Sequence, residues 1–246
     1  MISGIELGEV DAIIRYHSDT MTYAYSKDGK PIGLTPSEWY GKGAELAGVF
    51  GKSFEEKVFR ELLMGHVCGQ VIAAGQRIEY ELDPKTKKPV KDPATGKPKV
   101  LSKEWVHVPA YDYTFAPGRT VSYLALVAGD ERVIAAHNAA VKKTIDYMEQ
   151  NAVRMRVYAD GERGYVAGDN LLVGMARHYM NRESEPHLHT HCVILNMTYD
   201  AAADKWRALD IRKMEELRVK QELDRIYQGF LGDALELLGY KVTRNA

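Results

Sequence analysis

Arg177-His178-Tyr179-Met180-Asn181-Arg182-Glu183-Ser184-Glu185-Pro186-His187-Leu188-His189-Thr190-His191, continuing as Cys192-Val193-Ile194-Leu195-Asn196, is the most informative stretch of the chain. Its last residues are apolar and β-branched, as a buried strand requires. Side chains alternate across a strand, so His187, His189 and His191 share one face. The polar run from Asn181 to Pro186 is a hairpin connection. A turn centred between Glu183 and Ser184 sets His178 directly opposite His189, with side chains roughly 5 Å apart. Three imidazoles then converge without help from elsewhere in the chain. Neutral imidazole binds divalent metals strongly, and three of them leave positions open for substrate. The spacing alone keeps His187 eligible as well.

Outward from this hairpin, helices and strands follow in mixed order. Val153 to Tyr158 and Leu171 to Tyr179 read as strands, as does the aromatic Tyr111 to Phe115. Asp130 caps a long helix to about Asn151, with Val133, His137, Val141, Ile145 and Met148 on one side. Ser53 and Glu56 form a capping box for a helix to Gly65, and Glu38 to Val49 reads as a shorter helix. Met214 to Leu238 is helical with a break near Gly229, before a strand-like Tyr240 to Thr243. Between strand-like Val71 to Leu82 and Trp105, seven lysines from Lys85 to Lys103 crowd among four prolines. The turn chemistry of Asp92-Pro93-Ala94-Thr95-Gly96 makes this a protruding hairpin. No regular βαβ rhythm and no Gly-rich phosphate loop occurs, so the class is α+β rather than doubly wound.

Composition bounds the chain without naming its task. It has 246 residues, 45% hydrophobic and 27% charged, with 33 Lys+Arg against 34 Asp+Glu. That length suits one large domain or two small ones. No apolar run approaches the ~20 residues of a membrane span. Residues 1–10 lack the basic and apolar regions of a signal peptide. Two cysteines, Cys68 and Cys192, are too few for a disulfide framework, which favours a reducing cytosol. A net charge of −1 gives no global hint of nucleic acid, though charge averages over faces that need not share a sign.

A three-histidine metal site needs an attacking group. Tyr16, Tyr23 and Tyr25 are concentrated in one polar N-terminal segment, and tyrosine can form reversible covalent intermediates. With 15 tyrosines in the chain, composition alone singles out none of them.

The sequence resembles MobF-type conjugative relaxases, within the wider HUH endonucleases. The resemblance rests on Tyr16, Trp39-Tyr40-Gly41-Lys42-Gly43-Ala44-Glu45, Phe59-Arg60-Glu61-Leu62-Leu63, Tyr111-Asp112-Tyr113-Thr114-Phe115 with Val121-Ser122, and Arg177-His178. It continues through Pro186-His187-Leu188-His189-Thr190-His191 to Thr198 and ends with Trp206-Arg207-Ala208-Leu209. It implies a palm-like, mainly antiparallel sheet flanked by helices, with residues 1–246 as one relaxase domain of a longer protein. The implied activity is metal-dependent nicking and rejoining of single-stranded DNA at a plasmid origin of transfer. By motif, His178, His189 and His191 become the ligands, and His187 does not. Asp112 becomes the carboxylate that orients an imidazole or takes the phenol proton. Tyr16 becomes the nucleophile, and Tyr25 ahead of Tyr23 the candidate for a second. The family's adjacent tyrosine doublets are missing here: His17 follows Tyr16, and Ala24 separates Tyr23 from Tyr25. Ala116-Pro117-Gly118-Arg119-Thr120 stands where the family has Ser-Ala-Pro-Lys-Ser, so Arg119 takes the Lys position.

The resemblance further implies one divalent metal, Mg2+ or Mn2+ in function, with Zn2+ or Ni2+ also accepted. It implies hairpin-containing or single-stranded DNA, auxiliary relaxosome proteins and a secretion channel as partners. It also implies a monomer in the bacterial cytoplasm that can be carried to a recipient cell with the DNA. Arg182, Arg119, Lys42 and the lysine hairpin are the candidate phosphate contacts. Three rivals stand beside this reading. One is a replication initiator or transposase of the same HUH class. Another is a three-histidine hydrolase or cupin-like oxygenase, which would need no tyrosine. The last is a DNA-binding module with a decayed site.

Overall fold

The computed structural model describes residues 2–7, 9–19, 37–72, 75–93, 95–106, 108–159, 162–181, 183–210 and 217–243. Tyr23, Tyr25 and Arg182 lie outside them. Tyr16 is described through its backbone, without its side chain.

The described chain divides into two compact units. The first comprises residues 1–72 and 109–246, and the second residues 73–108. In the first, β1 (Ile2–Leu7), α1 (Val10–Asp19), β2 (Ser37–Tyr40), α2 (Lys42–Leu46), α3 (Glu56–Leu63), β3 (His66–Val67) and β4 (Gln70–Val71) come first. The second unit holds β5 (Gly75–Tyr80) and β6 (Val100–Val106). The first unit resumes with β7 (Ala110–Phe115), α4 (Arg119–Leu126), α5 (Glu131–Asn151), β8 (Arg154–Ala159), β9 (Glu162–Ala167), β10 (Val173–Met180) and β11 (Pro186–Leu195). It ends with β12 (Thr198–Asp200), β13 (Lys205–Arg207) and α6 (Leu217–Leu237).

Five of these strands form one sheet in the order β1-β7-β11-β10-β2, with every neighbouring pair antiparallel. The α+β, mainly antiparallel expectation is met. β11 is central, and it reads as a run of buried residues because helices cover both faces. Register assigns the faces. Directly opposed residues share a side, so Trp39, Gly174, Val193 and Asp112 line one face together with His178, His189 and His191. On that face, Ile13 and Ile14 of α1 and Phe59, Leu62 and Leu63 of α3 join Trp39, Val193 and Leu195 in one buried cluster. Gly174 makes room for it, since a Cβ there would lie 2.9 Å from Phe54 Cζ and 3.2 Å from Trp39 Cζ3. The opposite face presents Leu188, Thr190, Cys192 and Ile194. There Ser122 of α4 accepts the Leu188 N–H at 3.2 Å, and the Tyr227 ring of α6 stands edge-on to Phe115 with centroids 5.4 Å apart.

Several local expectations are corrected. The helix expected over Glu38–Val49 is a strand followed by a five-residue helix, because Ser37–Tyr40 pairs with β10. The turn between them needs Gly41 at φ +93°, where a Cβ would lie 2.5 Å from the Leu171 carbonyl oxygen. Helix α3 starts at Glu56 with no side-chain cap, so Ser53 forms no capping box. The Ser37 hydroxyl instead accepts the Phe54 N–H at 3.3 Å, which brings the Phe54 ring toward Gly174. Helix α6 runs through Gly229 without a break. Tyr240–Thr243 is not a strand. The Tyr240 N–H instead closes the helix end on the Leu235 carbonyl beyond left-handed Gly239, and its hydroxyl bonds Asp130 at 2.7 Å. The expected cap of α5 is present, with Asp130 accepting the Arg132 N–H at 3.0 Å.

The second unit is the lysine hairpin. Beyond paired β5 and β6, two turns repeat the same chemistry nine residues apart. Asp83 accepts the N–H groups of Lys85 and Thr86, and Asp92 accepts that of Thr95. Lys87 and Gly96 take the left-handed conformation at matching places.

Candidate metal centre

β10 and β11 bring the three histidines together as their register requires. His178 lies directly opposite His189, and His191 lies one pleat further along, opposite Ala176. A bulge after His178 leads into the turn, where Asn181 Oδ1 accepts the N–H groups of Glu183 and Glu185 and Ser184 takes a positive φ. One nitrogen of each of His178, His189 and His191 lies within 4.8 Å of the others. Their rings pack at centroid separations of 4.8 to 5.2 Å.

Two of the three rings are held on their outer sides. His191 Nδ1 meets Asp112 Oδ2 at 2.6 Å and Thr114 Oγ1 at 3.1 Å. Thr114 is the cross-strand partner of His191, and Asp112 is one pleat diagonal to it. His189 Nδ1 donates to the His187 carbonyl at 2.9 Å. With both Nδ1 atoms engaged in this way, Nε2 is the nitrogen these two rings would offer to a cation. The structure thereby separates His187 from the cluster: its carbonyl accepts from His189, and its half-buried ring lies beside that residue at 4.9 Å.

Burial keeps the His178 and His189 imidazoles neutral. Loss of water pulls His178 down to about 2 and His189 to about 4, and the neighbouring histidines add to the first shift. Neutral nitrogens are what a divalent cation needs, and they are already deprotonated here. Three imidazoles with two oriented Nδ1 atoms fit a borderline divalent ion well.

A fourth histidine belongs to the same environment. His17, 4% exposed, stands edge-on to His191 at 5.6 Å and to Phe59 at 6.3 Å. Burial brings it down to about 4. The sequence signal for it is its place on the Ile13, Ile14 face of α1. His17 places the helix carrying Tyr16 against the cluster, since Tyr16 immediately precedes it in α1.

The other candidates are placed as follows. Arg119 opens α4, is exposed, and lies close enough to His187 to help burial lower that ring's proton affinity. Lys42 is not brought to the cluster. It follows Tyr40, whose partner Val173 is five residues from His178, or roughly 17 Å along the strand. Its N–H is bonded at 2.8 Å to buried Glu149, which also accepts the Leu171 N–H at 2.8 Å. Burial raises the Glu149 carboxyl above its usual range.

Among the described residues no helix is long and apolar enough to cross a membrane. Comparison with known proteins agrees with the geometry. The chain is 29% identical over 238 residues to the multifunctional conjugation protein TraI of Escherichia coli, and 30% identical to that of strain K12. Each alignment covers 94% of this chain and 12% of the relative, so the chain spans about an eighth of those proteins. Among solved structures it is similar to conjugative relaxase TrwC in a metal-bound complex with oriT DNA, at TM-score 0.72 and 32% identity, covering all of this chain and 73% of that one. TrwC with a 27-mer DNA comprising the recognition hairpin and the cleavage site gives 0.71 and 30%, over all of this chain and 72% of that one. A copper-bound TrwC complex is equally similar at 0.71. The TrwC relaxase family model matches residues 11–246, so the chain belongs to the TrwC relaxase family.

Proposed function

We propose that this chain nicks one strand of a plasmid origin of transfer through a 5′-phosphotyrosine on Tyr16 and later reverses the step. One observation carries the reading: a buried three-histidine cluster, braced by Asp112, lies against the helix that bears Tyr16. The similarity to TrwC solved with oriT DNA supports the choice of substrate.

His178, His189 and His191 would hold the divalent ion, Mg2+ or Mn2+ in the cell, which when bound withdraws charge from the non-bridging oxygens of the scissile phosphate. Asp112 uses Oδ2 to hold His191. Its Oδ1 is buried and has no hydrogen-bond partner among the described residues, which leaves an acceptor for the phenol proton. The Tyr16 oxygen then attacks phosphorus as the bond to the 3′ oxygen breaks, and the leaving oxygen ends as a free 3′-hydroxyl. One phosphodiester replaces another, so rejoining needs no nucleotide cofactor. Arg119 and Arg182, with the lysine hairpin, supply phosphate contacts, and Tyr25 is the candidate for a second transfer. The protein works in the bacterial cytoplasm with relaxosome partners, and can travel with the DNA.

A labelled single-stranded oligonucleotide carrying a hairpin and its cleavage site tests this on a denaturing gel. A covalent adduct is expected with wild type and Mn2+. An adduct that persists in Tyr16→Phe, or under excess chelator, would overturn the assignment.

A further inference from the structure

Behind the metal strand lies a buried polar chain that the reaction does not use. Thr190 sits between His189 and His191 in sequence and points to the opposite face of β11. Its hydroxyl meets His137 Nε2 of α5 at 2.8 Å, and His137 Nδ1 meets the Tyr227 hydroxyl of α6 at 2.8 Å. Thr190 is 1% exposed, and His137 and Tyr227 are fully buried. Burial lowers the His137 ring to about 3, with the Arg177 charge acting in the same direction, so the ring is neutral and carries one donor and one acceptor nitrogen.

Such a chain costs stability unless every member is satisfied, and an apolar trio would fill the same space. Its position accounts for its presence. Within the sheet, β11 is fixed on both sides by its ladders with β7 and β10. Those ladders run in the plane of the sheet and resist movement normal to it only weakly. Packing behind Thr190 is also incomplete, since a cavity of about 330 Å³ is lined there by Ser37, Glu38, Asn138, Met175, Arg177 and Thr190. Movement of β11 along the sheet normal would carry His189 and His191 together relative to His178 on β10.

We propose that Thr190, His137 and Tyr227 form a positioning chain that pins β11 to the helix layer and so holds two of the three metal ligands in register with the third. The proposal rests on the metal reading of the cluster. It concerns metal affinity in the absence of DNA, so it stands or falls separately from the nicking chemistry.

The test is competition of Mn2+ or Co2+ against a chelator, on the intact chain. Thr190→Val keeps the shape and removes the hydroxyl, and affinity is expected to fall roughly tenfold, the scale seen for groups that support metal ligands. Thr190→Ser restores it. Tyr227→Phe, which leaves β11 untouched, gives a smaller loss in the same direction. Val141→Ala, a core truncation on α5 outside the chain, lowers thermal stability without weakening metal binding. Wild-type affinity in Thr190→Val, or a loss no larger than that of Val141→Ala, overturns the proposal, as does failure of Thr190→Ser to rescue. If Thr190→Val does not fold, an unchanged affinity in Tyr227→Phe overturns it equally. A wild-type protein that binds neither ion would remove the metal reading itself.

Discussion

Replacing Asp112 by Asn perturbs the most constrained contact of the cluster. Asp112 Oδ2 and His191 Nδ1 are 2.6 Å apart, with side chains only 12% and 8% exposed, so the bond is charge-assisted and shielded from water. The amide is close to isosteric, and the packing around it has little reason to change. The chemistry does change. An amide nitrogen facing the Nδ1–H sets donor against donor and drives the ring toward the tautomer with its proton on Nε2, where the metal should bind. An amide oxygen in the same place accepts only as a neutral group. A charge-assisted bond contributes about 1.5–3 kcal/mol and a neutral one about 1 kcal/mol. The difference, on the order of 1–2 kcal/mol, corresponds to roughly five- to thirtyfold in metal affinity. Chelator competition with Mn2+ on wild type and Asp112→Asn measures it. Nicking at saturating metal then separates the two roles given to this carboxylate. If Asp112 only orients His191, saturating metal restores the rate. If Oδ1 also takes the phenol proton, the rate stays depressed by roughly 10²- to 10⁴-fold. Wild-type metal affinity in Asp112→Asn would refute the orienting role, whatever the rate.

Three further outcomes are expected. His17, His137, His178 and His189 are all held below the ordinary histidine value of 6.5, at about 4, 3, 2 and 4, chiefly by burial. The unfolded chain therefore takes up protons first as pH falls. The stability these groups lend is fully present above pH 6.5 and is lost from there down to about pH 4 for His17 and His189, 3 for His137 and 2 for His178, at up to about 1.4 kcal/mol per pH unit for each. Urea melts of the metal-free protein at pH 7, 6 and 5 should show it, and a flat profile would contradict neutral burial. Gly43→Ala should destabilise by roughly 1–3 kcal/mol, because the new Cβ would lie 2.6 Å from the Leu171 carbonyl and 2.8 Å from Leu172 N, both backbone. Gly48→Ala, which meets nothing within 4 Å but sits at φ +71°, should cost about 1–2 kcal/mol through backbone strain alone, and the same denaturant melts would rank the two.

The parts of this fold that were legible in sequence are those whose determinants are close together in the chain. The β10–β11 hairpin could be read because its register depends on a short turn and on strand alternation, and His178 meets His189 as that arithmetic requires. Helix α5 could be read because Asp130 and the Val133, Val141, Ile145 stripe are local signals. Strand β2 could not. Ser37–Tyr40 is extended because β10, more than 130 residues later, supplies its ladder, and Glu38–Val49 alone has apolar spacing that suits a helix. The Ser53 cap failed for a related reason. Phe54, partly buried against Trp39 and Gly174, gains part of the about 1.5–3 kcal/mol that full burial of such a ring contributes, which matches or exceeds the about 1 kcal/mol of a cap at the start of α3.

The metal centre divides along the same line, and the division says which residues can be exchanged safely. Its three clustered histidines and the His187 carbonyl that orients His189 lie within 14 positions of one another, and a pattern of alternate histidines announces them. Its other supports come from far away. Asp112 reaches His191 across 79 positions, and His17 is brought to the cluster only by the packing of α1 on α3. Without the family resemblance, Asp112 reads as a strand-edge acid and His17 as one polar residue among many. Both become meaningful only when the sheet order β1-β7-β11-β10-β2 sets β7 beside β11 and leaves one face for α1. The chemistry of such a site is therefore carried by a short local motif, while its tuning is distributed over the fold. A substitution in the distal supports should change metal affinity, proton affinity and nucleophile placement separately, whereas loss of a ligand histidine should abolish all three together.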